Sequence, residues 1–146
     1  MQLKRTTTFL VFLFSILFAR SQGDSLRLAC PLINGTPRVI RASDKDYQKS
    51  SEYGVIITSK IDTLVKAVHE GAIVIVVKTE DSKYDVVLHF KNFYFWYTGV
   101  LSPKVKTGTK VKSGDVIGTY APGDMLELLM FQQEEPVNPR KFLKCN

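Results

Sequence analysis

The chain has 146 residues, 45% of them hydrophobic, and 20 Lys and Arg against 14 Asp and Glu give it a net charge of +6. That length carries one modest domain with a core of its own. The lysines are scattered among acids rather than massed, which excludes a nucleic-acid footprint.

Lys4 and Arg5 precede an apolar run over residues 9–19, and Ala19-Arg20-Ser21 places small residues at the two positions a signal peptidase reads. The run is about 11 residues, short of the roughly 20 that cross a bilayer. Segment 1–21 therefore reads as a cleaved secretory signal rather than a stable membrane anchor, and the expected location is secreted or periplasmic. Cleavage removes Lys4, Arg5 and Arg20 and no acid, so the charge falls by three from +6 to +3. Cys30 and Cys145 lie near the two ends of the mature chain. An even count in an exported protein predicts a disulfide between them, and neither has a second ligand at zinc-site spacing.

Residues 22–51 are rich in turn formers, among them Pro31, Asn34-Gly35 and Pro37, and read as an irregular arm with one short strand over 38–41. Asn34-Gly35-Thr36 matches a glycosylation sequon and equally an Asn-Gly turn. Strands follow over 53–58 and 63–68, then a turn at His69-Glu70-Gly71. The continuous apolar run AIVIVV at 72–77 predicts a central strand buried on both faces. A polar hairpin tip at 79–83 leads to strands over 85–89 and 93–98, paired across Lys91-Asn92.

In VKTGTKVKSGDVIGT, residues 105–119, two glycine turns bracket a short strand over 110–112, and a further strand starts at Val116 and breaks at Gly118. Its lysines, with Lys104, read as a solvated face or as a contact for a polyanionic wall polymer. A closing strand over 126–132 and a proline-marked tail over 134–143 complete the chain. With no helical period longer than two turns, residues 52–146 form an all-β domain. In the run 93–97, Phe93, Phe95 and Tyr97 face one way and Tyr94 and Trp96 the other. One set is core; the other packs against the arm or forms an aromatic shelf for a glycan or peptide.

Four segments in order, GVIITSKIDTLVKAVHEG, VVLHFKNFYFWYTGVLS, VKTGTKVKSGDVIGTYA and LELLMF with PVNPRKFL, together resemble the lysostaphin-type (LytM-type) zinc metallopeptidases over residues 54–143. This cell-wall endopeptidase family also has non-catalytic, amidase-activating members such as EnvC and NlpD. The resemblance implies antiparallel sheets in a barrel-sandwich hybrid, the duplicated hybrid motif. Segment 105–119 is also similar to the turns of biotinyl and lipoyl carriers, but no lysine here sits in an M-K-M hairpin tip.

The family's enzymes hold Zn²⁺ through the His and Asp of H-x-G-x-D and the second His of H-x-H, with a water in the fourth position. On this chain the resemblance puts Glu52 and Ile56 at the first two ligand positions and Met130 at the third. The family's catalytic histidines, the first of H-x-H and that of Y-A-H-L, fall on Leu128 and Val100. A shift of the last strand by one residue would put Glu127 and Leu129 at H-x-H. Neither alignment restores a ligand set, and isoleucine, leucine and valine supply neither a metal ligand nor a base. The expectation is a pseudoenzyme without cofactor, a binding or regulatory module whose partners are peptidoglycan or a wall hydrolase. The alternative is an active zinc endopeptidase cleaving peptidoglycan cross-links with ligands rearranged around His69 or His89, helped by Glu52 or Asp85.

Overall fold

The computed structural model describes residues 25–38 and 54–146. The expected signal 1–21, strand residues 39–41, most of the arm and Glu52 lie outside them. Among the described residues no helix is long and apolar enough to cross a membrane.

Among the described residues thirteen strands form three sheets. The large sheet runs β2 (Thr36–Arg38), β3 (Val55–Thr58), β11 (Leu126–Gln132), β7 (Phe93–Val100), β6 (Tyr84–Phe90), β5 (Gly71–Lys78) and β9 (Lys110–Val111), with β12 (Glu135–Val137) also on β11. A smaller sheet pairs β4 (Leu64–Lys66), β10 (Val116–Thr119) and β8 (Ser102–Pro103). β1 (Leu28–Ala29) runs parallel to β13 (Leu143–Lys144) beside the Cys30–Cys145 disulfide. A single 3-10 turn at Pro139–Lys141 is the only helical element described. The expected all-β architecture of antiparallel sheets is what the chain adopts.

The core lies between the inner face of the large sheet and the smaller sheet. Val55, Ile57, Val86, Leu88, Phe95, Tyr97, Leu126, Leu128 and Met130 point inward from the former, and Val65 and Ile117 meet them from the latter. The β6–β7 hairpin follows the alternation of its sequence, so Phe95 and Tyr97 are fully buried. The two glycine turns do more than reverse the chain. Gly108, at φ 94°, donates its N–H to the Ile73 carbonyl at 2.7 Å, and Gly114, at φ 88°, donates to that of Ala67 at 2.8 Å. Each positive φ suits glycine, and each turn ties 105–119 to a different sheet.

Two readings of the sequence need correction. The run at 72–77 is not a central strand buried on both faces: β5 lies next to the sheet edge, with Ile75 and Val77 40% and 47% exposed. Gly118 does not break its strand; β10 continues to Thr119, and a Cβ at Gly118 would stand 2.4 Å from Val100 Cγ1. Glycine is required there for close approach of the two sheets.

Tyr97 joins the layers by a polar contact, since its phenol oxygen accepts the Val68 N–H at 2.7 Å inside the core. Removal of that oxygen in Tyr97→Phe leaves a buried N–H unpaired, at an expected cost of about 1–3 kcal/mol. Burial pushes the Tyr97 phenol well above its ordinary range, opposed only in part by the Val68 N–H. A raised folded-state value means this contribution is intact below about pH 10 and is lost as pH climbs toward the folded value, by up to about 1.4 kcal/mol per pH unit. Urea unfolding of both proteins at neutral pH and above pH 10 checks both points: the wild-type advantage is expected to shrink in alkali, and a constant difference would refute the linkage.

Candidate functional site

The outer face of the large sheet carries the site positions, and cross-strand register fixes which side chains share it. Ile56 on β3 stands opposite Arg38 on β2 and Glu127 on β11, and Glu127 stands opposite Thr98 on β7. In the next row Leu129 faces Trp96, which faces Val87, which faces Ile75. Below these, Phe131 faces Tyr94, and Tyr94 faces His89. Gly54 lies under the first two rows, where a Cβ would come within 3.0 Å of Leu129 Cδ2 and 3.2 Å of Glu127 Oε1.

Leu128 and Met130 point the other way. They pair with Tyr97 and Phe95 on the inner face and are buried in the core. The structure therefore does not bring Ile56 together with Leu128 and Met130, since one face of a sheet separates them. The residues that share Ile56's face are Glu127 and Leu129, one position earlier. The four apolar residues of LLMF at 128–131 have no alternation from which to fix a register, which is why the sequence left both alignments open. Val100, at the end of β7, is buried against Gly118. Glu52 lies outside the described residues.

The chemistry of this face is apolar with a few engaged polar groups. Ile56 is 1% exposed and presents only carbon. Glu127 already has a partner. The Trp96 indole N–H donates to Asp85 Oδ2 at 3.0 Å, while Asp85 Oδ1 is buried with no hydrogen-bond partner. Tyr94 is 36% exposed, and its ring stacks on His89 with centroids 4.5 Å apart. The expected shelf of Tyr94 and Trp96 thus splits: Tyr94 is open, and Trp96 is half-buried and tied to Asp85. That tie was not read from the sequence, although an acid beginning an apolar strand beside a tryptophan-bearing one is its trace.

The histidines do not converge. His69 packs on the inner side against Phe90 at 4.4 Å and Phe95 at 5.9 Å, with its Nδ1 2.9 Å from the Glu70 carbonyl. His89 lies on the outer face with Tyr94. Among the described residues no three of His, Cys, Asp or Glu gather as metal donors. The zinc that the fold family implies does not fit these residues: Ile56 has no donor atom, and its neighbours supply one engaged carboxylate.

The Peptidase family M23 profile matches residues 50–139. The chain belongs to peptidase family M23. No curated protein matches this M23 chain. Among solved structures, Helicobacter pylori Csd3 superimposes with a TM-score of 0.67 at 18% identity, over 84% of this chain and 36% of that one. The SpoIIQ–SpoIIIAH pore-forming complex contains a chain matching at TM-score 0.64 and 18% identity, over 82% and 92% of the two chains. Lysostaphin matches at TM-score 0.61 and 23% identity, over 81% and 54%. At these identities the likeness establishes the shared fold, and this M23 chain spans about a third of the length of the Csd3 chain.

Proposed function

We propose that this M23 domain is a secreted or periplasmic pseudoenzyme that works as a binding or regulatory module at the bacterial cell wall, contacting peptidoglycan or a wall hydrolase. The observation that carries this reading is Ile56, a buried side chain without a donor atom between Arg38 and Glu127, where the family's ligand Asp would stand. A zinc-bound water needs three fixed ligands and a base to reach a useful pKa, and Ile56 contributes to neither. The SpoIIQ–SpoIIIAH complex supports the module reading by analogy, because a chain of this fold there forms part of a protein assembly. No observation favours the rearranged endopeptidase, whose His69 and His89 lie on opposite faces of the sheet.

Zinc content of the purified protein after dialysis against trace zinc, with cross-link cleavage assayed on isolated peptidoglycan, tests the proposal. The expected result is substoichiometric zinc and no cleavage, with the protein co-sedimenting with peptidoglycan or with a wall hydrolase. One zinc per chain, together with cleavage abolished by a chelator, would overturn it.

A further inference from the structure

Asn34 is the only asparagine of the chain that glycine follows. In such a pair the Gly35 amide nitrogen can attack the Asn34 side-chain carbonyl carbon, because glycine has no side chain to hinder the approach. A carbon–nitrogen bond forms, ammonia leaves, and water then opens the cyclic imide at one of its two carbonyls to give aspartate or isoaspartate. The reaction asks two things of the backbone: a Gly35 N–H free to lose its proton, and a rotation at Asn34 that swings the Gly35 peptide toward Cγ.

The fold denies both. The Gly35 N–H donates to the Leu32 carbonyl at 2.8 Å. Gly35 is buried and so closely packed that a Cβ there would stand 2.5 Å from Ile57 Cγ2 and 2.9 Å from Leu32 Cβ, which leaves its peptide no room to swing. Asn34 itself is exposed, yet both of its nitrogens are held by one carboxylate. Its backbone N–H donates to Asp62 Oδ2 at 2.8 Å and its Nδ2 to Asp62 Oδ1 at 3.3 Å. Asp62 is placed in turn by a buried serine, its own N–H donating to Ser59 Oγ at 3.0 Å. A carboxylate in this position fixes the Asn34 side chain, and its charge opposes the negative charge that builds on the attacked carbonyl.

We propose that Asn34 is a deamidation site closed by the fold, with Asp62 as the residue that closes it, a role independent of any contact with the cell wall. Opening of segment 32–36 frees the Gly35 amide, and the product then resists reclosure. An aspartate at 34 sets a second carboxylate against Asp62 where the Nδ2 donor stood, and isoaspartate lengthens the backbone by one methylene just before β2, whose Thr36 pairs with Thr58. Conversion at Asn34 therefore marks, irreversibly, a chain whose arm has opened.

Peptide mapping by mass spectrometry, after timed incubation of the full chain at mildly alkaline pH, measures the amide converted to acid at Asn34. Conversion in the folded wild type is expected to be slower than in the same chain unfolded in guanidinium by about tenfold or more, the scale set by hydrogen bonds to a charged group. Asp62→Ala, with folding checked by circular dichroism, is expected to recover much of the unfolded rate. Asn34→Asp, which installs the product at an exposed position, is expected to lower the unfolding midpoint. Equal rates in folded and unfolded wild type overturn the proposal, as does a folded Asp62→Ala chain that converts no faster than wild type. An unchanged midpoint for Asn34→Asp also removes Asp62 from this role, and that measurement stands even if Asp62→Ala fails to fold.

Discussion

Replacement of Cys30 and Cys145 by serine is expected to lower the unfolding free energy by about 5 kcal/mol, a large share of the 5–15 kcal/mol typical of a domain. The bridge spans 115 positions, so in the chain-entropy account it restricts nearly the whole unfolded chain. What it holds is otherwise thinly attached. β1 and β13 share a parallel pairing of only two residues each, yet Leu28 and Leu32 beside it are fully buried in the core. Without the bridge, the ordering of residues 25–35 rests on those two leucines and on a few bonds, such as Ala29 N–H to the Val68 carbonyl at 2.9 Å. Guanidinium unfolding of the wild type with and without reductant, and of the double serine variant, measures the effect. A loss below about 1 kcal/mol would mean that the terminal segments are held by packing alone.

This pairing of cysteines was legible from their number and placement in a chain with an export-like leader, because a disulfide depends on two residues only. The β6–β7 hairpin was legible as well. Its alternating side chains separate Phe95 and Tyr97 from Tyr94 and Trp96, and a two-residue turn at Lys91-Asn92 sets its register. The glycine turns at 108 and 114 were readable as turns, but their docking on Ile73 and Ala67 is long-range and leaves no local mark.

The misreadings share a physical cause. In AIVIVV every residue is apolar, so composition shows that both faces of β5 tolerate burial but not whether a layer packs over the second one, where Ile75 and Val77 are exposed, nor that β9 ends after two paired residues and leaves β5 near the edge. Gly118 looked like a strand breaker because glycine is poor in strands, whereas its place is set by Val100 from another sheet. Family resemblance identified the fold and put Ile56, a side chain without a donor atom, at one of the family's ligand positions. It could not decide which residues of the last strand line the site, since LELLMF fits the family's strand in either of two registers.

That register has a consequence of large size. Leu128→Asp is expected to cost at least about 4 kcal/mol, because it removes a leucine worth about 2–5 kcal/mol from the core and leaves a carboxylate among apolar neighbours. Leu128 is fully buried on the inner face, opposite Val55 and Tyr97, within the hydrophobic core cluster. Leu129→Asp, one residue on, is expected to cost far less, because that side chain is only half-buried on the outer face beside Gly54 and Trp96. The same logic predicts that histidines introduced at both Leu128 and Met130 unfold the domain instead of rebuilding a metal site, while Glu127→His is tolerated. Urea unfolding midpoints of the four variants decide the matter. Equal losses for Leu128→Asp and Leu129→Asp would show that β11 is not held in this register, and the assignment of Glu127 rather than Leu128 to the site face would fall with it.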